Sequence, residues 1–75
     1  MSEQTFGQKA VGLSFNPSNL SDVDMVKRGF AEQIDILHEL RQHSEDPEVK
    51  RLCSVAITET QTAQMWAVKA LTWKS

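Results

Sequence analysis

A single cysteine, Cys53, leaves the 75-residue chain without a partner for an internal disulfide. That usage fits a reducing cytosol. Two histidines beside one cysteine make no recognisable zinc pattern. The formal net charge is −2 and no long basic run exists, which argues against a binder of duplex DNA or RNA, because such a protein displaces counterions with a cationic footprint. Small anionic ligands stay open, since a pocket needs only a few local cations. No apolar run approaches the roughly 20 residues of a membrane span, and the N-terminus carries nothing like a signal-peptide core, so a soluble intracellular protein is expected. A Gly-rich phosphate loop and a nucleophile elbow are also missing.

A chain of this length makes one domain at most, and a domain so small leaves much of its surface unburied. Such domains lean on a disulfide, a metal or partner subunits. With the first two not supplied, self-association is the economical remedy.

What the chain does contain is helical patterning. Residues 5 to 11 make one short helix, weakened by Gly7, with Gly12 suited to stop it. The stretch Ser14-Phe15-Asn16-Pro17-Ser18-Asn19 reads as a turn, because proline sets its own φ and biases its predecessor away from helix, while Asn and Ser bond nearby backbone. Ser21 with Asp24 three residues on is an acidic variant of the capping box. From there Val23, Val26, Phe30, Ile34, Leu37 and Leu40 recur at spacings of three and four, the stripe of an amphipathic helix over about 22–42. Asp46-Pro47-Glu48 reads as an N-cap with proline at the first helical position, opening a third helix over about 47–73.

The middle of that third segment, SVAITETQT, alternates like a strand and is rich in β-branched residues. Helix is favoured because no second strand exists to pair with it, and a lone strand would leave its ladder unpaired. The segment carries apolar or small residues on several faces. Val49, Cys53, Ala56, Thr60, Ala63, Ala67 and Ala70 form one seam, and Leu52, Val55, Trp66 and Trp73 another. A hairpin partner covers only one of these faces, which points to neighbouring chains for the rest.

Candidate chemistry is sparse. His38 and His43 in HELRQH are five apart, so on a helix they diverge by roughly 140° and lack the four-residue spacing of a zinc protease; both read as solvated histidines near a helix end. Asp22, Asp24, Glu32 and Asp35 read as exposed charges complementing a helix dipole. Lys27 and Arg28 would ordinarily lie on the surface, although their nearness to Phe15 makes a small anion site conceivable. Thr58, Thr60 and Thr62 crowd mediocre helix formers together, either with hydroxyls bonded back to the helix or facing a polar cavity.

Three stretches, FGQKAVGLSFNPS, FAEQID and above all RLCSVAITETQTAQMWAVKALTW, resemble the small bacteriophage sponge proteins that defeat CBASS immunity by sequestering cyclic oligonucleotide signals. Those proteins share a helical hairpin domain with the sponges of the Thoeris pathway. The resemblance covers nearly the whole chain. It implies an all-α fold, a single hairpin domain over 1–75 assembled into a homo-hexamer, no catalysis and no cofactor, in the cytoplasm of an infected bacterium. It also implies two ligand classes in separate pockets. For cyclic dinucleotides it designates Phe15, the aromatic before Asn-Pro, as a stacking platform, and Lys27 as the phosphate contact. For cyclic trinucleotides it designates Asn16, Arg51 and Thr60. The aromatic is Phe where a relative has Tyr, which keeps the stacking face and drops a hydroxyl.

Arg51 and Thr60 are nine residues apart, so on one helix they point to opposite sides with about 13 Å between them along the axis. A single copy can hardly wrap both around one small ligand, whereas several copies can. Three other readings compete: a sponge for cyclic ADP-ribose-type Thoeris signals, a purely structural helical adaptor, and an enzyme that opens the cyclic ligand with His38 or an acidic residue as base.

Overall fold

The computed structural model describes residues 3–13 and 21–74. Phe15, Asn16 and Pro17 lie outside the described residues. Three helices follow in order, α1 (Phe6–Ala10), α2 (Ser21–His43) and α3 (Pro47–Thr72), and among the described residues there is no strand. The β-branched run of residues 54–62 is therefore helical, as pairing considerations favoured. Asp46 caps α3 by accepting from the Glu48 amide at 2.9 Å, with Pro47 behind it.

Local chemistry delimits α1 at both ends. Thr5 Oγ1 accepts from the Gln8 amide at 3.0 Å and Gln8 Oε1 accepts from the Thr5 amide at 2.9 Å, a reciprocal box that satisfies two end donors. At the other end the Gly12 and Leu13 amides donate to the Lys9 and Gln8 carbonyls at 3.1 and 3.0 Å. Gly12 sits at φ 64°, where a Cβ would be strained.

The two glycines of this region have different uses. Gly7 is buried in α1 because the helix lies directly on α2 there: a Cβ at Gly7 would run into the Ala31 carbonyl and approach Asp35 Oδ1 to 2.9 Å. The Gly7 amide donates to that same Asp35 oxygen at 2.7 Å. Asp35 is thus the dock for α1, not the exposed charge expected of it.

The core is small. Val11, Ala31, Ile34 and Ile57 form it, with Ala10, Leu13, Phe30 and Leu37 packed around them. The Cα extents are 46 × 33 × 13 Å, and a body this thin has little interior. Burial of Ile34, completely occluded, contributes about 1.5–3 kcal/mol.

The buried stripe of α2 is Val23, Lys27, Ala31 and Ile34, with Val26 and Phe30 only half-buried. The expected stripe was therefore shifted around the helix. Three-four spacing marks apolar positions without regard to which helices pack on them, whereas α1 as well as α3 lies on α2, and Lys27 turns inward to the Gly12 carbonyl. On α3 the buried positions are Cys53, Ile57 and Gln64. Leu52, Val55, Trp66 and Trp73 remain about half to two-thirds exposed.

Cross-helix contacts lock the loop end of the hairpin and the α1 seat. Arg41 Nη1 donates to Ser54 Oγ at 3.0 Å, and Arg41 Nη2 donates to His38 Nδ1 at 3.2 Å. The His38 ring stacks on Phe6 with centroids 4.1 Å apart and planes 4° from parallel, and the Arg41 guanidinium lies 5.5 Å from the Phe6 centroid. His38 is therefore a packing element between α1 and α2, which corrects its assignment as a solvated histidine. His43 is exposed, beside Glu39.

Candidate functional site

Lys27 enters the interior from the second position of the buried α2 stripe and is 4 % exposed. An ammonium so buried needs acceptors. Its Nζ donates to the Gly12 carbonyl at 2.9 Å, on the left-handed turn that ends α1. Thus the glycine stop and the lysine belong to one device: the turn that terminates α1 aims a carbonyl at the cation of α2.

Around this cation lies a cavity of about 450 Å³. Lys9 to Gly12 supply one wall, Lys27 the floor, and Gln64, Met65 and Val68 of α3 the other wall. Among the described residues two lysines and no carboxylate line it, so its chemistry suits an anion carrying apolar or planar parts. The volume falls within the range of small-ligand pockets, roughly 300–1,000 Å³.

A second cavity of about 490 Å³ opens between α2 and α3, bounded by Phe30, Gln33, Ile36 and Leu37 on one helix and Ala56, Glu59, Thr60 and Ala63 on the other. Among the described residues it shares no lining residue with the first. Thr60 therefore faces a different space from Lys27.

The sequence-derived residues fall as follows. Lys27 lines the first cavity and Thr60 the second. Arg51 lines neither; it is exposed and grips Glu48 through Nε at 2.9 Å and Nη2 at 2.6 Å. That contact holds the Glu48 carboxyl below the usual carboxylate range and draws the Arg51 pKa upward. Within one chain Arg51 and Thr60 are not brought together. Phe15 and Asn16 lie outside the described residues. Arg28 stands apart from Lys27, paired with Asp24 at 2.8 Å on the exposed side of α2.

The threonine hydroxyls resolve in favour of back-bonding at two positions. Thr60 Oγ1 donates to the Ala56 carbonyl at 2.6 Å and Thr62 Oγ1 to the Thr58 carbonyl at 3.2 Å. Back-bonding uses only the proton, so the Thr60 oxygen can still accept a bond from a ligand in the cavity it lines. Lys9, Gly12 and Gln64 are cavity residues that sequence reasoning missed. Gln64 alone had a legible signal, a polar residue seven positions after Ile57 on the same helical face.

Comparison with known proteins bears on the hairpin as a whole. The family model described as "Acb2/Tad1, hairpin domain" matches residues 8–72. The chain belongs to this family. No curated protein and no solved structure matches it. Membership in the Acb2/Tad1 hairpin family is consistent with a phage anti-defence sponge, a ligand-binding type that fits a non-enzymatic role. The match begins inside α1 and ends at the last residue of α3, so it takes in both the Lys27 and the Thr60 cavities. Among the described residues no helix is long and apolar enough to cross a membrane.

Proposed function

We propose that this Acb2/Tad1 hairpin protein binds and sequesters cyclic oligonucleotide messengers without cleaving them, in the cytoplasm of an infected bacterium, and so blocks CBASS signalling. The observation that carries the reading is the buried Lys27, held at a cavity that Lys9 also lines, in a chain of this family. A cyclic dinucleotide presents two phosphates and two planar bases. Lys27 meets a phosphate, and Phe15, from the segment that follows Gly12 in sequence, stacks on a base, a contact worth about 1–3 kcal/mol.

Cyclic trinucleotides take a separate site built from Asn16, Arg51 and Thr60 of different copies in a homo-hexamer. The disjoint linings of the two cavities support separate sites. The exposed Leu52, Val55, Trp66 and Trp73 support assembly, because burying them needs other chains. Arg51 then exchanges its Glu48 contact, which solvent screens, for charge-assisted bonds to a ligand.

Titration with a panel of cyclic dinucleotides and trinucleotides, followed by heat denaturation and chromatography of the released ligand, tests the reading. Tight binding and intact recovery are expected. Linear products would replace the sponge by an enzyme, and absence of binding across the panel would leave a sponge for cyclic ADP-ribose-type signals or a structural adaptor.

The two-site arrangement makes a further demand on Arg51. Arg51→Ala is expected to weaken cyclic trinucleotide binding by about 1.5–3 kcal/mol per lost bond and leave cyclic dinucleotide binding nearly unchanged. Competition calorimetry checks it: trinucleotide should still bind protein saturated with dinucleotide, and mutual exclusion would require a single shared pocket.

A further inference from the structure

Gln64 is 6 % exposed and occupies the inward stripe of α3, where Cys53 and Ile57 precede it. A glutamine at such a position ordinarily completes the fold by bonding a neighbour. Gln61, one turn earlier, does so, with Nε2 donating to the Ala10 carbonyl of α1 at 3.4 Å. Gln64 does not: among the described residues no group bonds its amide. Yet no buried side-chain nitrogen or oxygen of the described residues is both sealed from solvent and unbonded. The Gln64 amide therefore opens on the space it lines, the cavity that Lys9 and Lys27 share.

We propose that Gln64 is a base-reading residue of the Lys27 cavity and selects adenine-bearing cyclic dinucleotides. This rests on the cyclic-oligonucleotide reading given above and adds its base preference. A phosphate offers only acceptors, so it satisfies the amide NH₂ and leaves the carbonyl unmatched; the lysines already meet that need. A base edge with donor and acceptor side by side satisfies both ends. Adenine presents its exocyclic amine beside a ring nitrogen on both its Watson–Crick and its Hoogsteen edge, the pairing that glutamine makes with two hydrogen bonds, whereas the Hoogsteen edge of guanine offers two acceptors and only its Watson–Crick edge matches an amide. In an unpaired cyclic dinucleotide both adenine edges are free to be read. A buried amide also rejects a ligand that leaves it unpaired, so it discriminates more sharply than an apolar wall.

The test uses three full-length proteins, wild type, Gln64→Met and Gln64→Glu, each titrated calorimetrically with cyclic di-AMP and cyclic di-GMP and melted without ligand. Methionine keeps the length of the side chain and removes both polar ends. It is expected to lower cyclic di-AMP affinity about tenfold while the melting temperature holds or rises, since a structural glutamine would instead lose stability on this change. Glutamate keeps the acceptor and loses the donor, so the ratio of cyclic di-AMP to cyclic di-GMP affinity should fall. If wild type binds cyclic dinucleotides and both variants keep its affinities and ratio, Gln64 is not a reader and the sponge reading stands. If wild type binds neither ligand nor any other of the panel, both fall together.

Discussion

Gly7→Ala is expected to detach α1 from α2 and destabilise the protein by about 2–4 kcal/mol. Overpacking of a close contact costs about 1–3 kcal/mol, and the bond from the Gly7 amide to the Asp35 carboxylate at 2.7 Å, worth about 1.5–3 kcal/mol as a bond to a charged group, is stretched as the helix moves away. The obstacle is backbone, the Ala31 carbonyl, so no side-chain rotation relieves it. For a domain of this size the melting temperature should fall by roughly 10 °C or more.

Gly29 is the natural control for this substitution. Among the described residues nothing lies within 4 Å of a Cβ added there, so Gly29→Ala should stabilise α2 by up to about 1 kcal/mol through helix propensity. Thermal melts by circular dichroism of the two variants separate a packing effect from a propensity effect. Equal and small shifts would mean that α1 is not docked through Gly7. Because Lys9 to Gly12 wall the cavity and Gly12 holds Lys27, Gly7→Ala should also weaken cyclic dinucleotide binding.

Lys27→Met should lower cyclic dinucleotide affinity by roughly 10- to 100-fold, the equivalent of one lost charge-assisted hydrogen bond. Stability should move little. Methionine fills similar space and avoids burying a charge, which offsets the acceptor left behind at Gly12. Arg28→Ala, one position away, is expected to leave both affinity and stability nearly unchanged, because its exposed ion pair with Asp24 contributes little and it lines neither of the two cavities described above. Calorimetric titration of both variants decides between them. Undiminished affinity in Lys27→Met would remove this lysine from the phosphate site, whereas a loss of the same size in Arg28→Ala would move the site to the outer face of α2.

Local signals located the elements because their causes are local. Asp46 and Pro47 open α3 through a cap bond and a preset φ, and Gly12 closes α1 through a left-handed turn; both effects reach no further than a few residues. Lys27 was legible as a cation of interest through its resemblance to a family motif, but its burial was not. A lysine inside an apolar stripe reads as surface until some other segment supplies its acceptor. That acceptor, the Gly12 carbonyl, is fifteen residues away. Similarly, Asp35 and His38 read as solvated because their partners, the Gly7 amide and the Phe6 ring, belong to a short helix whose docking face no periodicity reveals.

The sequence by itself determined an all-helical hairpin with a short leading helix, since cap chemistry, proline placement and three-four spacing act within one turn of the chain. It also exposed a surplus of apolar faces, because counting faces needs only the helical period. Only the tertiary structure decided which side of α2 turns inward, by laying α1 on Gly7 and Asp35. That one contact brings Gly12 over Lys27 and places Gln64 opposite, and it separates the Lys27 cavity from the one that holds Thr60. Such a choice depends on distances between segments far apart in the chain, and no residue's own propensity contains them.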